Sequence, residues 1–453
     1  MHTINTETGQ GGPAPEKRNA SRGGVPMLVT TAGDWEREAR SRRHNLIEAF
    51  AVYLFLLVVM WPFGYGLGVL PGNEQVADIA VLPLVLGAVY LLFVSPFIHR
   101  DTLGSWGLGN PKTLWLMLTR GPGWRRGLMW ATVALLFIGL NCVNWWQWAE
   151  VADFFNFEGT PLEHADESFP GILFVFAFGA LLSLVIIGFG VRYDNFVPAF
   201  KTAMKVALPL FALVCLGAYV QRGAAAFSDF RPSKFALDVF GYLFWGFTQQ
   251  LLFSAYFGTR LRKAYAPSRN PRNTLPKEQR WRLALLAGGG TAVVAAPGIW
   301  LLLRLVYPET PTPASAMLWF AAFALPVGGL YGYFWGLDRK RLLVATVTGS
   351  FFGFIHIDSY GLVIATWVLG IFLSYVFMAA RNRNLVALGF IHGLNGSTLG
   401  WLFSSGKSGV LEIDYSVGPW NVDNPTAGVL IIPMALIAAY SMALAWSLRR
   451  IKD

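Results

Sequence analysis

The chain has 453 residues and a formal net charge of +10; 54% of its residues are hydrophobic and only 14% are charged, against about 25% charged in soluble domains. That balance, with 18 Trp and 35 Phe, argues against a soluble enzyme and for a chain whose solvent is the bilayer. The two cysteines, Cys142 and Cys215, both fall in apolar runs and supply neither a disulfide framework nor a metal motif.

In chain order, residues 1–44 are polar and rich in Gly, Pro, Ser and Arg, the composition of a disordered basic tail rather than a cleavable signal peptide. About twelve apolar runs of spanning length follow. They lie near 46–70, 79–98, 127–147, 170–191, 204–220, 235–258, 283–306, 315–336, 342–357, 360–380, 385–404 and 426–447. The expected architecture is therefore all-α: a multi-pass protein of the cytoplasmic membrane. Basic residues gather in alternate loops, such as Arg100 to Arg126, Arg260 to Arg282 and Arg339 to Arg341. The intervening loop WAEVADFFNFEGTPLEHADESF has six acids and no Lys or Arg. By the positive-inside rule this places both termini in the cytoplasm. One outer loop, with Arg222, Arg231 and Lys234, dissents. Basic loops facing anionic lipid account for the net charge without nucleic acid.

The long basic loop Tyr265 to Arg282 is rich in turn residues and divides six runs from six. No internal repeat is evident, so an inverted-repeat transporter gains no support. The segment after the eleventh run, SSGKSGVLEIDYSVGPWNVDNPTA, reads as an outer loop before the last span.

Polar groups inside apolar runs carry the functional signal, because each costs free energy unless something binds it. WGFTQQLLFSAYFGTRLRK sets Gln249 and Gln250 near its middle, and of six histidines only His356 and His392 fall within runs. Asn395 lies three residues after His392, on the same helical face. Counted from the basic ends at 1.5 Å per residue, Gln249 sits ~16 Å deep, His356 ~22 Å and His392 ~12 Å. Three helices thus offer polar groups to one slab of the bilayer. The alternative is interhelical hydrogen-bond glue, which the neighbouring Gly393, Gly396 and Gly400 also fit, the last two as a GxxxG. Asp358 reads as an interfacial residue. Two histidines with no carboxylate or thiolate leave zinc short of its usual three ligands, so neither metal nor cofactor is expected.

These segments resemble the CPBP family, which includes the type II CAAX prenyl endopeptidases, bacterial intramembrane proteases and bacteriocin self-immunity proteins. Phe352-Gly-Phe-Ile-His356 fits the family's Phe-x-x-x-His motif, and RNRNLVALGFIHGLNG is similar to its His-bearing third helix. QQLLFSAYF stands where the family has Glu-Glu-x-x-x-Arg. The likeness covers roughly residues 234–404, with 45–233 as N-terminal membrane helices, 405–453 as an outer loop and last span, and an inserted helix pair at about 283–336. The insertion follows from the separation of 106 positions from Gln250 to His356. The resemblance implies an intramembrane endopeptidase acting on a membrane-associated protein or peptide, with Gln249, Gln250, His356, His392 and Asn395 as its site. The departures bear on chemistry: both glutamates are Gln, the arginine position is Ser254, and the Asn position is Gly396 beside Asn395. A neutral amide cannot take a proton from water. Either His356 acts as base with the Gln pair orienting water or carbonyl, or the pocket is non-enzymatic and binds peptide, lipid or solute as a scaffold, immunity protein or transporter.

Overall fold

The computed structural model describes residues 42–61, 75–155, 157, 159–228, 230–265, 274–306, 314–357, 360–403, 439–440, 442–443 and 446. Among these there is no strand. The helices are α1 (Arg42–Val58), α2 (Gln75–Val89), α3 (Ser95–His99), α4 (Pro111–Thr119), α5 (Gly123–Trp146), α6 (Trp148–Phe154) and α7 (Phe169–Val185). After them come α8 (Phe196–Arg222), α9 (Pro232–Gln250), α10 (Gly258–Tyr265), α11 (Lys277–Val306), α12 (Ala314–Phe354), α13 (Tyr360–Met378) and α14 (Leu385–Phe403).

Seven helices among the described residues are long and apolar enough to cross a membrane: Arg42–Trp61, Leu82–His99, Gly123–Trp146, Phe169–Gly190, Phe196–Val220, Phe320–Phe354 and Leu385–Leu402. Leu362–Met378 is a shorter apolar helix. Their lipid-facing side is visible in residues such as Leu135 and Leu181, more than half exposed; outward leucine is stable in hydrocarbon, not in water. The chain is an all-α protein of membrane-embedded type. Residues 1–41 of the tail, the outer loop, Asp358 and most of the expected last span lie outside the described residues; Arg42 to His44, read as the end of the tail, open α1.

Two runs read as separate helices join in α12. The break between them is Asp338, whose backbone leaves the helical region (φ −161°, ψ 82°) and whose Oδ1 accepts from the Arg341 amide at 3.1 Å. The carboxylate thus caps the second segment, an ordinary N-terminal device. That segment lies against α13 where Gly349 leaves no room for a side chain: a Cβ there would stand 2.4 Å from the Ile371 nitrogen.

α14 begins at Asn384, fully buried, whose Oδ1 caps the Ala387 amide at 3.2 Å while its Nδ2 donates to the Arg192 carbonyl at 2.8 Å. α14 then packs antiparallel on α9. A Cβ on Gly393 would approach the Leu243 nitrogen to 2.7 Å, and one on Gly389 the Leu243 carbonyl to 2.8 Å. The close-packing stripe is therefore Gly389 and Gly393. Of the expected pair, Gly396 faces the Tyr242 ring at 3.3 Å and Gly400 has nothing within 4 Å. Gly400 keeps nearly the phase of Gly389 and Gly393, eleven and seven positions on, so the difference lies along the helix and not around it: the close approach to α9 is at Gly389 and Gly393 and does not reach Gly400. Gly393→Ala should destabilise the protein by about 1–3 kcal/mol, because backbone, not a flexible side chain, must yield. Gly400→Ala should be neutral in the same thermal-unfolding measurement.

At the basic end of the bundle the loop after α3 turns inward. Thr102 and Ser105 form a reciprocal capping box, and Gly107 takes φ +74°, a conformation suited to glycine, where a Cβ would stand 2.9 Å from the Phe377 ring and 3.2 Å from the Arg383 backbone. Asp101 inside this loop is fully buried. Arg260 grips both its carboxylate oxygens, Lys263 Nζ donates at 2.5 Å and Trp106 Nε1 at 3.1 Å. Arg260 also reaches Glu48 (Nε to Oε1, 3.2 Å), Asn45 (3.2 Å) and Ser95 (3.0 Å). Glu48 further accepts from Ser95 and Tyr256 and pairs with His99 Nε2. One ionic network thus ties α1, α3, the loop and α10 together.

Burial pushes the Asp101 carboxyl up, but Arg260 and Lys263 outweigh it and hold it at about 2. Its folded value lies below the ordinary ~3.9, so its contribution is complete above that pH and is lost as pH falls toward 2. The stability gap between wild type and Asp101→Asn should hold at pH 5–7 and close between pH 4 and 2, followed by detergent-phase unfolding midpoints.

Candidate functional site

The expected site residues sit on α9, the turn after α12, and α14. α9 is an ordinary α-helix up to Gln250 and continues as a π-helical turn, Leu251–Phe257, before α10. Such π turns are rare and recur at functional sites. Here the turn begins at the Gln pair. Gln250 is 1% exposed, and its Oε1 accepts a hydrogen bond from Ser254 Oγ. Ser254 thus serves the amide as an arginine would serve a carboxylate: the Gln and Ser form a matched neutral pair. The nearest cation in sequence, Arg260, is committed to Asp101 and Glu48.

His392 lies directly against α9. A Cβ on Gly246 would stand 2.7 Å from the His392 Cβ, and Gly246 is one helical turn before Gln250. His356 is not in mid-helix: α12 ends at Phe354, and the His356 amide donates to the Gly353 carbonyl at 3.1 Å in the closing turn. Its Nδ1 meets the Phe352 carbonyl at 2.9 Å. The two imidazoles flank one ring, with His356 edge-on to Phe352 at 5.2 Å between centroids and His392 tilted at 5.7 Å. Phe253 of the π turn packs on the same ring at 5.0 Å. Phe352 is therefore the hub that joins all three segments.

Asn395 is buried and its Nδ2 donates back to the Ile391 carbonyl at 2.8 Å. The site has an unusual polar account. Gln249 Oε1, Gln250 Nε2, His392 Nδ1, Asn395 Oδ1 and the neighbouring Ser397 Oγ are all buried with no hydrogen-bond partner. Buried polar atoms are normally paired, and each unpaired one costs about 1–3 kcal/mol. Such a concentration on two touching helices is what a polar ligand or bound water would relieve. The set contains both a donor, the Gln250 NH2, and acceptors, the Gln249 and Asn395 oxygens. Among the described residues no group of three His, Cys, Asp or Glu side chains could hold a metal ion.

The Glu48–Asp101–Arg260 network was not legible as a cluster. Arg260 reads in sequence as the marker of a helix end, yet it is fully buried, and His99 reads as a span-edge residue, yet its Nε2 lies 2.5 Å from Glu48. The one available signal was Glu48 itself, an acid inside the apolar run that begins at Leu46.

No protein-family model, no curated protein and no solved structure matches this chain.

Proposed function

We propose that the chain is a multi-pass protein of the cytoplasmic membrane, with about twelve spans and cytoplasmic termini, built on the CPBP plan. In this reading Gln249, Gln250, His392 and Asn395, with His356 beside them, form an intramembrane pocket for the backbone of a membrane-associated protein or peptide. The observation that carries it is the set of buried unpaired polar atoms on α9 and α14. A peptide amide has one N–H and one C=O; the Gln250 amide donates to such a carbonyl, and the Gln249 or Asn395 oxygen accepts from such an N–H. The pocket is neutral, which suits a neutral ligand group taken out of water.

As an endopeptidase, the site would use an imidazole to take the proton of the attacking water, with Gln250 polarising the scissile carbonyl. The Gln250–Ser254 pairing favours a second reading, in which the pocket binds without cleaving. An amide pair with its own hydroxyl partner is a built arrangement, and it lacks the carboxylate base that protease chemistry would draw on.

The discriminating experiment compares wild type, His356→Ala and His392→Ala in detergent. Thermal stability and binding of a fluorescent membrane-anchored peptide are both measured, with cleavage followed on the same peptide. The expected result is stability held or raised with binding weakened. Loss of more than ~1.7 kcal/mol of stability, the ceiling for membrane hydrogen bonds, with binding unchanged, would make both histidines structural. Cleavage by wild type selects the enzyme; binding alone selects the scaffold.

A further inference from the structure

At the end of α9 away from the Gln pair, α8, α9 and α14 surround a cavity of about 170 Å³. Phe235 in its wall stands 14 residues before Gln249, about 21 Å along the helix, so the cavity is separate from the candidate site. Its walls are rings: Phe211 of α8, Phe230 just before α9, Phe235 within it and Trp401 of α14. Between centroids Phe230 lies 5.2 Å from Phe235 and 5.9 Å from Trp401, and Phe235 lies 6.4 Å from both Phe211 and Trp401. The Trp401 plane stands at 70° to Phe230 and 81° to Phe235, so these rings form a box and not a stack. Polar atoms beside the box are already engaged: Thr398 Oγ1 donates to the Leu394 carbonyl at 2.5 Å, and Trp401 Nε1 to Asp238 at 2.6 Å. An apolar cavity of about 150 Å³ stays dry and accepts a molecule the size of benzene.

Two cations are fixed at its rim by contacts with cavity residues. Lys234 Nζ lies 5.9 Å over the Trp401 ring, and Arg222 Nη2 donates to the carbonyl of Leu402, the next cavity residue of α14. Lys234 is exposed, and among the described residues neither cation forms an ion pair. Asp238 engages the edge of the indole, not the face under Lys234. A dry cavity of one-ring size with two cations at its rim describes a small hydrophobic acid. We propose that this cavity binds an aromatic carboxylate of the phenylacetate class, its ring inside the box and its carboxylate against Lys234, with Arg222 beside it. Inclined rings offer edge-to-face contacts to an aromatic guest, and an ammonium group offers the carboxylate a charge-assisted hydrogen bond.

The test is binding of 4-fluorophenylacetate to the full chain in detergent, followed by the broadening of its fluorine resonance, with 4-fluorophenylacetamide as the uncharged control. Wild type should bind the carboxylate roughly tenfold more tightly than the amide, the worth of one charge-assisted hydrogen bond. Lys234→Gln, an exposed change, should make the two bind about equally and leave the unfolding midpoint in place. Cys215→Phe, which puts a ring into the cavity from α8, should abolish binding of both. On illumination, 4-azidophenylacetate should label wild type within 211–235 or 398–402, and this decides the site whether or not the Cys215 variant folds. Failure of wild type to bind the carboxylate would overturn the proposal. So would equal binding of carboxylate and amide by wild type, which describes a cavity that takes any apolar group, lipid chain ends included. An undiminished preference in Lys234→Gln, or labelling confined to other segments, would overturn it as well.

Discussion

Asp101→Ala is expected to cost about 3–5 kcal/mol of stability, the range for breaking a buried ion group by removing one partner. Asp101 has no exposed surface, and it faces Arg260 and Lys263 together. Its removal leaves two buried cations. Arg260 retains Glu48, but Lys263 keeps only the His99 carbonyl at 2.8 Å. Chemical unfolding of the detergent-solubilised protein measures the loss. A companion variant, Asp101→Leu with Arg260→Met and Lys263→Met, should recover much of it, since apolar replacement of a whole buried ion group is often neutral or better. A cost below about 1 kcal/mol for Asp101→Ala, as for a surface pair, would mean that water reaches the network. The expected consequence reaches beyond stability. The network fixes α10, which continues directly from the π turn that follows Gln250 and holds Ser254.

The second large effect concerns chemistry. The triple variant Gln249→Glu, Gln250→Glu and Ser254→Arg should raise peptide cleavage by about 10²–10⁴-fold over wild type, the usual worth of a general base. All three changes are required together. Gln250 is 1% exposed, and its side-chain oxygen accepts from the Ser254 hydroxyl. A carboxylate placed there alone would be buried without a cation and would be driven to its neutral form. The double glutamate variant with Ser254 retained should therefore be less stable than the triple and gain less activity. His356→Ala or His392→Ala in the triple background should return cleavage to the wild-type level. A folded triple variant that cleaves no peptide on a broad membrane-anchored panel would sink the view that the pocket retains a protease arrangement, and would leave the binding reading.

Much of the architecture was legible because hydropathy and length are local properties. The apolar runs within α1 and α5, and the polar residues set inside apolar runs, follow from spacing and the cost of burying a dipole. Sequence reasoning also singled out Gln249, Gln250, His356, His392 and Asn395. It supplied none of their contacts. That His392 lies against Gly246, and that both imidazoles share the Phe352 ring, depends on the relative phase of α9, α12 and α14. Phase is set by where glycines let backbones touch. That Gly393, and not the in-phase Gly400, is the contact glycine depends on where along its length α14 approaches α9, which the sequence does not show. The Glu48–Asp101–Arg260 network joins residues up to 212 positions apart. In sequence Asp101 and Arg260 look like ordinary charged residues near a helix end, and only Glu48, inside an apolar run, stands out. Only the inward turn of the loop after α3 takes Asp101 out of water and makes the pairing obligatory. Composition and period determined the solvent and the elements; the tertiary structure decided which polar groups are paired and which are left unpaired.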